Sequence, residues 1–187
     1  METKTRTGSN SRSCILLTGA SLLVALLGAG ACGSRIEEPA EVSETLVSVL
    51  PMADPHAARQ LLTGFYGVEN GSWRWTKGKF AVLLRAPANA GQTGATLKGE
   101  FSVPSVALQN TRELNLSARV GSTDLGSQKI TQAGGVVYQK GVPASAFSGT
   151  SVRIEFQLDH VVPPAPPGQG DQRELGLVAK LIRLDPK

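Results

Sequence analysis

Cysteine is almost missing from this 187-residue chain: there are two, Cys14 and Cys32. Both fall within the first 32 residues, so the rest can form no internal disulfide, no thiolate zinc site and no cysteine nucleophile. Histidine is equally scarce. His56 and His160 stand far apart and lack metal-ligand spacing, which removes structural zinc. Aromatic residues make up only 5% of the chain, so the place of each one matters. A strong charge imbalance is also absent, the net charge being +4. No Lys/Arg cluster of the kind that tracks a phosphate backbone is present, so nucleic acid is not an expected partner. There is no Gly-x-Ser-x-Gly and no phosphate loop; Gly134-Gly135 reads as a turn or bulge.

What is present starts with the leader. Lys4, Arg6 and Arg12 precede a run from Ile15 to Ala31 that carries no charge. A charged start, an apolar middle and small residues before a cut describe a signal peptide. A membrane span needs roughly 20 apolar residues. This run is shorter and is interrupted by Gly19, Gly28 and Gly30, so an uncleaved anchor is the weaker reading. Ordinary cleavage after a small-x-small pattern is the other alternative. The junction Ala29-Gly30-Ala31-Cys32 resembles the lipobox of bacterial lipoproteins, with Ala29 where that motif most often has Leu. The resemblance implies that Cys32 becomes the first mature residue and is acylated. Several acyl chains, at roughly 0.8 kcal/mol per buried methylene, hold a protein on a membrane. Gly33, not an acid, follows the cysteine, which is similar to the outer-membrane sorting signal of Gram-negative lipoproteins. The expected location is therefore the cell envelope, with the membrane as partner through Cys32.

Cleavage after Ala31 would leave 156 of the 187 residues. Three of the 19 basic residues and one of the 15 acidic ones lie in the leader, so the remainder is nearly neutral at +2. The sequence divides into a signal peptide (1–31), a lipidated cysteine and tether (32–53), and one domain (54–187). The tether reading rests on Glu37, Glu38, Glu41, Glu44, Pro39 and Pro51; Thr45 to Leu50 is a candidate edge strand.

Asp54 and Pro55 open a short helix through Ala57, Ala58, Arg59, Gln60, Leu61 and Leu62, with Gly64 as its stop. His56 sits on its first turn as an exposed polar residue. From Trp73 the period changes to two. Leu97, Phe101 and Val103 alternate with polar residues, as do Leu114, Leu116, Ala118 and Val120, and again Val152, Ile154, Phe156 and Leu158. Lys79 to Arg85, Gly135 to Lys140 and Leu175 to Leu184 are further strands, with Gly, Pro, Ser and Asn between the runs. The stretch Pro163-Pro164-Ala165-Pro166-Pro167-Gly168 is a stiff surface loop. Six or more strands behind one small helix predict an all-β, antiparallel β-sandwich, and nothing shows βαβ alternation.

Two segments stand out. Gly64-Phe65-Tyr66-Gly67-Val68-Glu69 is followed by Trp73-Arg74-Trp75, and Asp171-Gln172-Arg173-Glu174-Leu175-Gly176 follows the proline loop. In this order they are similar to a small β-sandwich domain found alone on envelope lipoproteins or beside glycosyltransferases, with the pattern Gly-aromatic-Tyr…Glu…Arg-Trp and then Asp-x-Arg-x-Leu-Gly. The similarity spans residues 60–187, with Phe65 where that domain often has Trp. It implies a jelly-roll or galactose-binding-like sandwich and a link to surface polysaccharide.

On a strand, Trp73 and Trp75 point the same way and Arg74 points opposite. The two indoles either pack in the core or form a stacking platform for sugar rings. Glu69, Arg74, Asp171 and Arg173 either form ion pairs that pin the first strand to the last or supply directed hydrogen bonds to a ligand. A glycan hydrolase needs two carboxylates roughly 5–10 Å apart. Glu69 with Asp171 or Glu174 is a candidate set, but an arginine that could neutralise it lies beside each candidate. Asp159-His160 reads as an exposed strand end. The expected function is non-enzymatic: a lipid-anchored sandwich that binds polysaccharide, or else a structural module contacting envelope proteins, with no cofactor and no metal.

Overall fold

The computed structural model describes residues 45–109 and 111–187. The expected signal peptide, Cys32 and the expected tether as far as residue 44 lie outside the described residues.

Nine strands among the described residues form an antiparallel sandwich that nearly closes into a barrel. They are β1 (Val49–Pro51), β2 (Leu61–Glu69), β3 (Trp73–Arg85), β4 (Ala95–Val103), β5 (Leu114–Val120), β6 (Thr123–Ile130), β7 (Gly134–Val142), β8 (Ser151–Leu158) and β9 (Val178–Pro186). The order is β6-β5-β8-β3-β9-β4-β7, with β1 on β9 and β2 on β3. The long strand β3 is the hinge of this arrangement. Arg74 and Trp75 pair with Ala179 and Val178 of β9, whereas Lys79 to Arg85 pair with Gln157 to Ser151 of β8. One strand thus belongs to both layers, and its outward residues run from one face of the molecule to the other.

The two ends of the strand order meet through side chains. The Tyr138 hydroxyl donates to the Gly126 carbonyl (2.7 Å), Gln128 Nε2 to Val137 O (3.1 Å) and Lys140 Nζ to Ser127 O (3.0 Å). Burial pushes the Tyr138 phenol up to about 12. These bonds cover the polar edges of β6 and β7, which would otherwise template aggregation.

Inward positions fill the core by strict alternation, most plainly in β4, where every second residue from Ala95 to Val103 is buried. Phe156 is the centre of the aromatic packing. Its ring stacks on Phe80 with centroids 4.8 Å apart and meets Phe101 and Tyr138 edge-on at 5.8 and 5.9 Å.

Two elements differ from expectation. The helix is a single 3-10 stretch, Pro55–Gln60, capped by Asp54, whose Oδ1 accepts the His56 N–H at 2.8 Å. Leu61 and Leu62 already belong to β2, and Gly64 is not a helix stop but a left-handed residue (φ 77°) inside that strand. The reason is Gln60. It is buried, accepts the Val47 N–H and donates to the carbonyls of Val47 and Leu83, which ties the helix end into the sheet. Residues 47–52 of the expected tether are bound in the same way: β1 pairs with β9, and Leu50 and Met52 are core residues.

Candidate functional site

Outward residues of β3 are Trp73, Trp75, Lys77 and Lys79; inward ones are Arg74, Thr76 and Phe80. Both tryptophans are half-buried on the outer face, and neither joins the core. The core reading of the pair is therefore set aside by strand parity. The contrast with the other aromatics is sharp. All five phenylalanines and Tyr138 lie in the core or against it, while Trp73, Trp75 and Tyr66 do not.

Arg74 is buried in the opposite direction. Its Nε donates to Met52 O (3.0 Å) and its Nη1 to Tyr66 O (3.1 Å), joining the turn after β1 to β2. It is a strut beneath the face and does not meet Glu69, Asp171 or Arg173, because a residue between two outward neighbours must point in.

The other three charged residues come together. Arg173 grips Asp171 with a two-pronged fork (Nε–Oδ1 2.9 Å, Nη2–Oδ2 2.7 Å) and reaches Glu69 Oε1 with Nη1 at 2.7 Å. Its guanidinium lies 4.9 Å from the Tyr66 ring centroid, a cation–π contact, and Lys77 Nζ approaches the same ring at 5.7 Å. The fork holds the Asp171 carboxyl down at about 2, and the two carboxylates raise the guanidinium further. The ion-pair reading of these three residues is what the geometry shows: β2 is pinned to the segment before β9.

The rest of that segment is laced down by Tyr66, Glu174 and Thr76. The Tyr66 hydroxyl donates to Glu174 O (2.9 Å), and Glu174 Oε1 accepts the Gly78 N–H (2.9 Å). Thr76 Oγ accepts the Leu177 N–H (3.0 Å), and the Gly176 N–H donates to Thr76 O (2.7 Å). Gly176 is required by closeness: a Cβ there would stand 2.6 Å from the Lys77 carbonyl. The spacing Asp-x-Arg-x-Leu-Gly thus encodes a fork, a buried leucine and a close backbone approach. The available signal for Tyr66 and Lys77 was their adjacency to the tryptophans on an outward strand face.

Asp159 and His160 lie exposed at the end of β8. Asp159 accepts the Asn115 backbone N–H (2.8 Å) and its side-chain amide (2.7 Å), and His160 Nδ1 is 3.2 Å away. Burial pushes the Asp159 carboxyl up, but the bonds from Asn115 and His160 outweigh it and lower the pKa. This is a clamp between β5 and β8.

No protein-family model matches the chain, and no curated protein matches it. Among solved structures, it is similar to the CBM36-1 domain of a multidomain xylanase from the hindgut metagenome of Trinervitermes trinervoides, with 9% identity over 74% of this chain and 96% of that one and a TM-score of 0.40. It is also similar to TmCBM27, a carbohydrate-binding module with specific mannan recognition, at 9% identity over 76% and 98% of the two chains and a TM-score of 0.45. The likeness is one of architecture alone.

Proposed function

We propose that this chain is a lipid-anchored protein of the cell envelope whose non-catalytic sandwich binds polysaccharide on the outward face of β3. Trp73 and Trp75 are the stacking surfaces, and Glu69, Asp171 and Arg173 form a prearranged polar edge beside them. Arg74 holds that face from below. The observation that carries the reading is the division of the aromatics: six serve the core, and the two tryptophans with Tyr66 are kept outside it. Half-exposed indoles at i and i+2 present parallel apolar area to a flat sugar ring, and nearby charges orient its hydroxyls. The anchor rests on the charged start, the uncharged run to Ala31 and Cys32 after three small residues.

Two measurements test it. In a glycan array with the full chain purified in detergent, Trp73→Ala/Trp75→Ala should bind at least about a hundredfold more weakly, as expected when two aromatic anchors are removed. The same variant should unfold within about 3 °C of the parent, since neither ring is in the core. Lost stability with unchanged glycan binding would overturn the platform. For the anchor, cells fed labelled palmitate should label the parent but not Cys32→Ala, and that variant should leave the membrane fraction. Unchanged retention sinks the lipid anchor.

A further inference from the structure

The second half of β3 carries its outward residues into a groove of about 630 Å³ on the layer β2-β3-β8-β5-β6. Strand register lines up its middle row: Thr63, Ala81, Glu155, Arg119 and Asp124, one residue from each of the five strands. Four inter-strand spacings make that row about 19 Å long, the reach of a short oligosaccharide. Ala81 is its floor, outward-facing yet only 2% exposed because larger neighbours rise on both sides. Lys79, Gln157 and Ser117 form the next row. The volume lies within the range of ligand sites, about 300–1,000 Å³.

The charges of this groove do not cancel. Glu155 is shared by two arginines, Arg153 Nε at 2.9 Å and Arg119 Nε at 3.9 Å. The Nη groups of both, and the Lys79 ammonium, make no hydrogen bond among the described residues. Asp124, the other carboxylate, accepts the Gly126 N–H at 2.8 Å. Phe80 and Phe156 lie below as core residues, so no exposed ring is offered for stacking. A groove rich in open cationic donors and poor in aromatic surface suits a charged sugar better than a neutral one.

We propose that this groove binds an anionic polysaccharide, its charge carried by carboxylate or phosphate. Both anions accept two parallel hydrogen bonds from a guanidinium fork. Glu155 is a positioning residue for Arg153, whose Nε it meets at 2.9 Å, while the Gly121 carbonyl accepts from Arg119 Nε at 2.9 Å, so the Nη ends of both arginines stay open to the groove. The inference rests on the polysaccharide reading above for the class of ligand, while the sign of the charge comes from the groove itself. The two places are also continuous. Trp75 and Lys79 lie on the same side of one strand about 13 Å apart, with Lys77 between them, so one polymer chain spans both.

The test is titration of the full chain in detergent with polygalacturonate and with its fully methyl-esterified form, which keeps the sugar and removes the charge. The free acid should bind at least about tenfold more tightly, and its advantage should shrink in high salt. Arg119→Gln/Arg153→Gln should remove that advantage and leave the esterified polymer unchanged. Binding of a phosphomannan in place of polygalacturonate, with the same dependence on the two arginines, supports the site with phosphate as its anion. Equal binding of both polymer forms, lost in Trp73→Ala/Trp75→Ala, overturns the groove and leaves the aromatic face standing. Acid-selective binding that survives the tryptophan changes but not the arginine changes upholds the groove and sinks the aromatic face. No binding to any of these polymers overturns the groove, whereas the aromatic face falls only if the glycan array also shows no binding that depends on Trp73 and Trp75.

Discussion

Phe156→Ala should destabilise the sandwich by about 3–5 kcal/mol, the usual cost of emptying a buried phenylalanine site. At about 2–4 °C per kcal/mol for a domain of this size, the thermal midpoint should fall by about 6–20 °C. The upper part of the range is expected because Phe156 is 2% exposed and touches three rings at once: Phe80 stacked at 4.8 Å, and Phe101 and Tyr138 edge-on. Edge and stacked pairs are worth about 0.5–1.5 kcal/mol each beyond area burial. The neighbours cannot collapse into the space, since Phe80, Phe101 and Tyr138 sit on three different strands whose ladders hold them apart. Phe147, which is only partly buried at the core margin, is the comparison, and Phe147→Ala should cost less than half as much. Urea unfolding of both variants checks the order; equal midpoints would mean that Phe156 is not the centre of the core.

Phe156 also shows how an alternating strand is legible in sequence. It sits in a run where Val152, Ile154, Phe156 and Leu158 alternate with polar residues, and β4, β5 and β8 all follow that rule. An alternating strand exposes its own period, whatever it pairs with. Strand β6 was missed because only Leu125 and Ile130 face the core, the rest of Thr123–Ile130 being small or polar on an edge. Strand β2 was missed for a different reason. Its register shifts three times along β3, so no single period runs through Leu61–Glu69. Good helix formers preceding it suggested a longer helix, but tertiary bonds from Gln60 end the helix there.

The site divides along the same line. Pairing of Glu69, Asp171 and Arg173 was legible because opposite charges fell in two segments that had to meet. Arg74 was grouped with them by charge, although parity sends it inward. The groove was invisible in the sequence, because Lys79, Arg119 and Arg153 become neighbours only when β3, β5 and β8 are laid side by side.

Gly64→Ala should cost about 2–5 kcal/mol, a fall of about 4–20 °C in the thermal midpoint, from two effects that add. The residue has φ 77°, which penalises any side chain by roughly 1–2 kcal/mol. A Cβ would also stand 2.1 Å from the Lys79 carbonyl oxygen and 2.7 Å from the backbone of Phe80. Those atoms belong to the central strand and cannot swing aside, so β2 itself must lift, at a further cost of about 1–3 kcal/mol. Gly67 is the control: a Cβ there meets nothing within 4 Å, so Gly67→Ala should leave the midpoint almost unchanged. The site gives a second readout. Phe65 packs on Phe80 with centroids 5.4 Å apart, and Tyr66 and Glu69, which meet Arg173, ride on the same strand. Lifting β2 therefore draws Glu69 from Arg173 while leaving the Asp171 fork, which lies outside the strand, intact. Any glycan affinity of the variant should accordingly fall more than its loss of folded protein explains. A midpoint within about 2 °C of the parent would show that β2 does not cross β3 this closely, and the register that sets Tyr66 and Glu69 beside Arg173 would have to be redrawn.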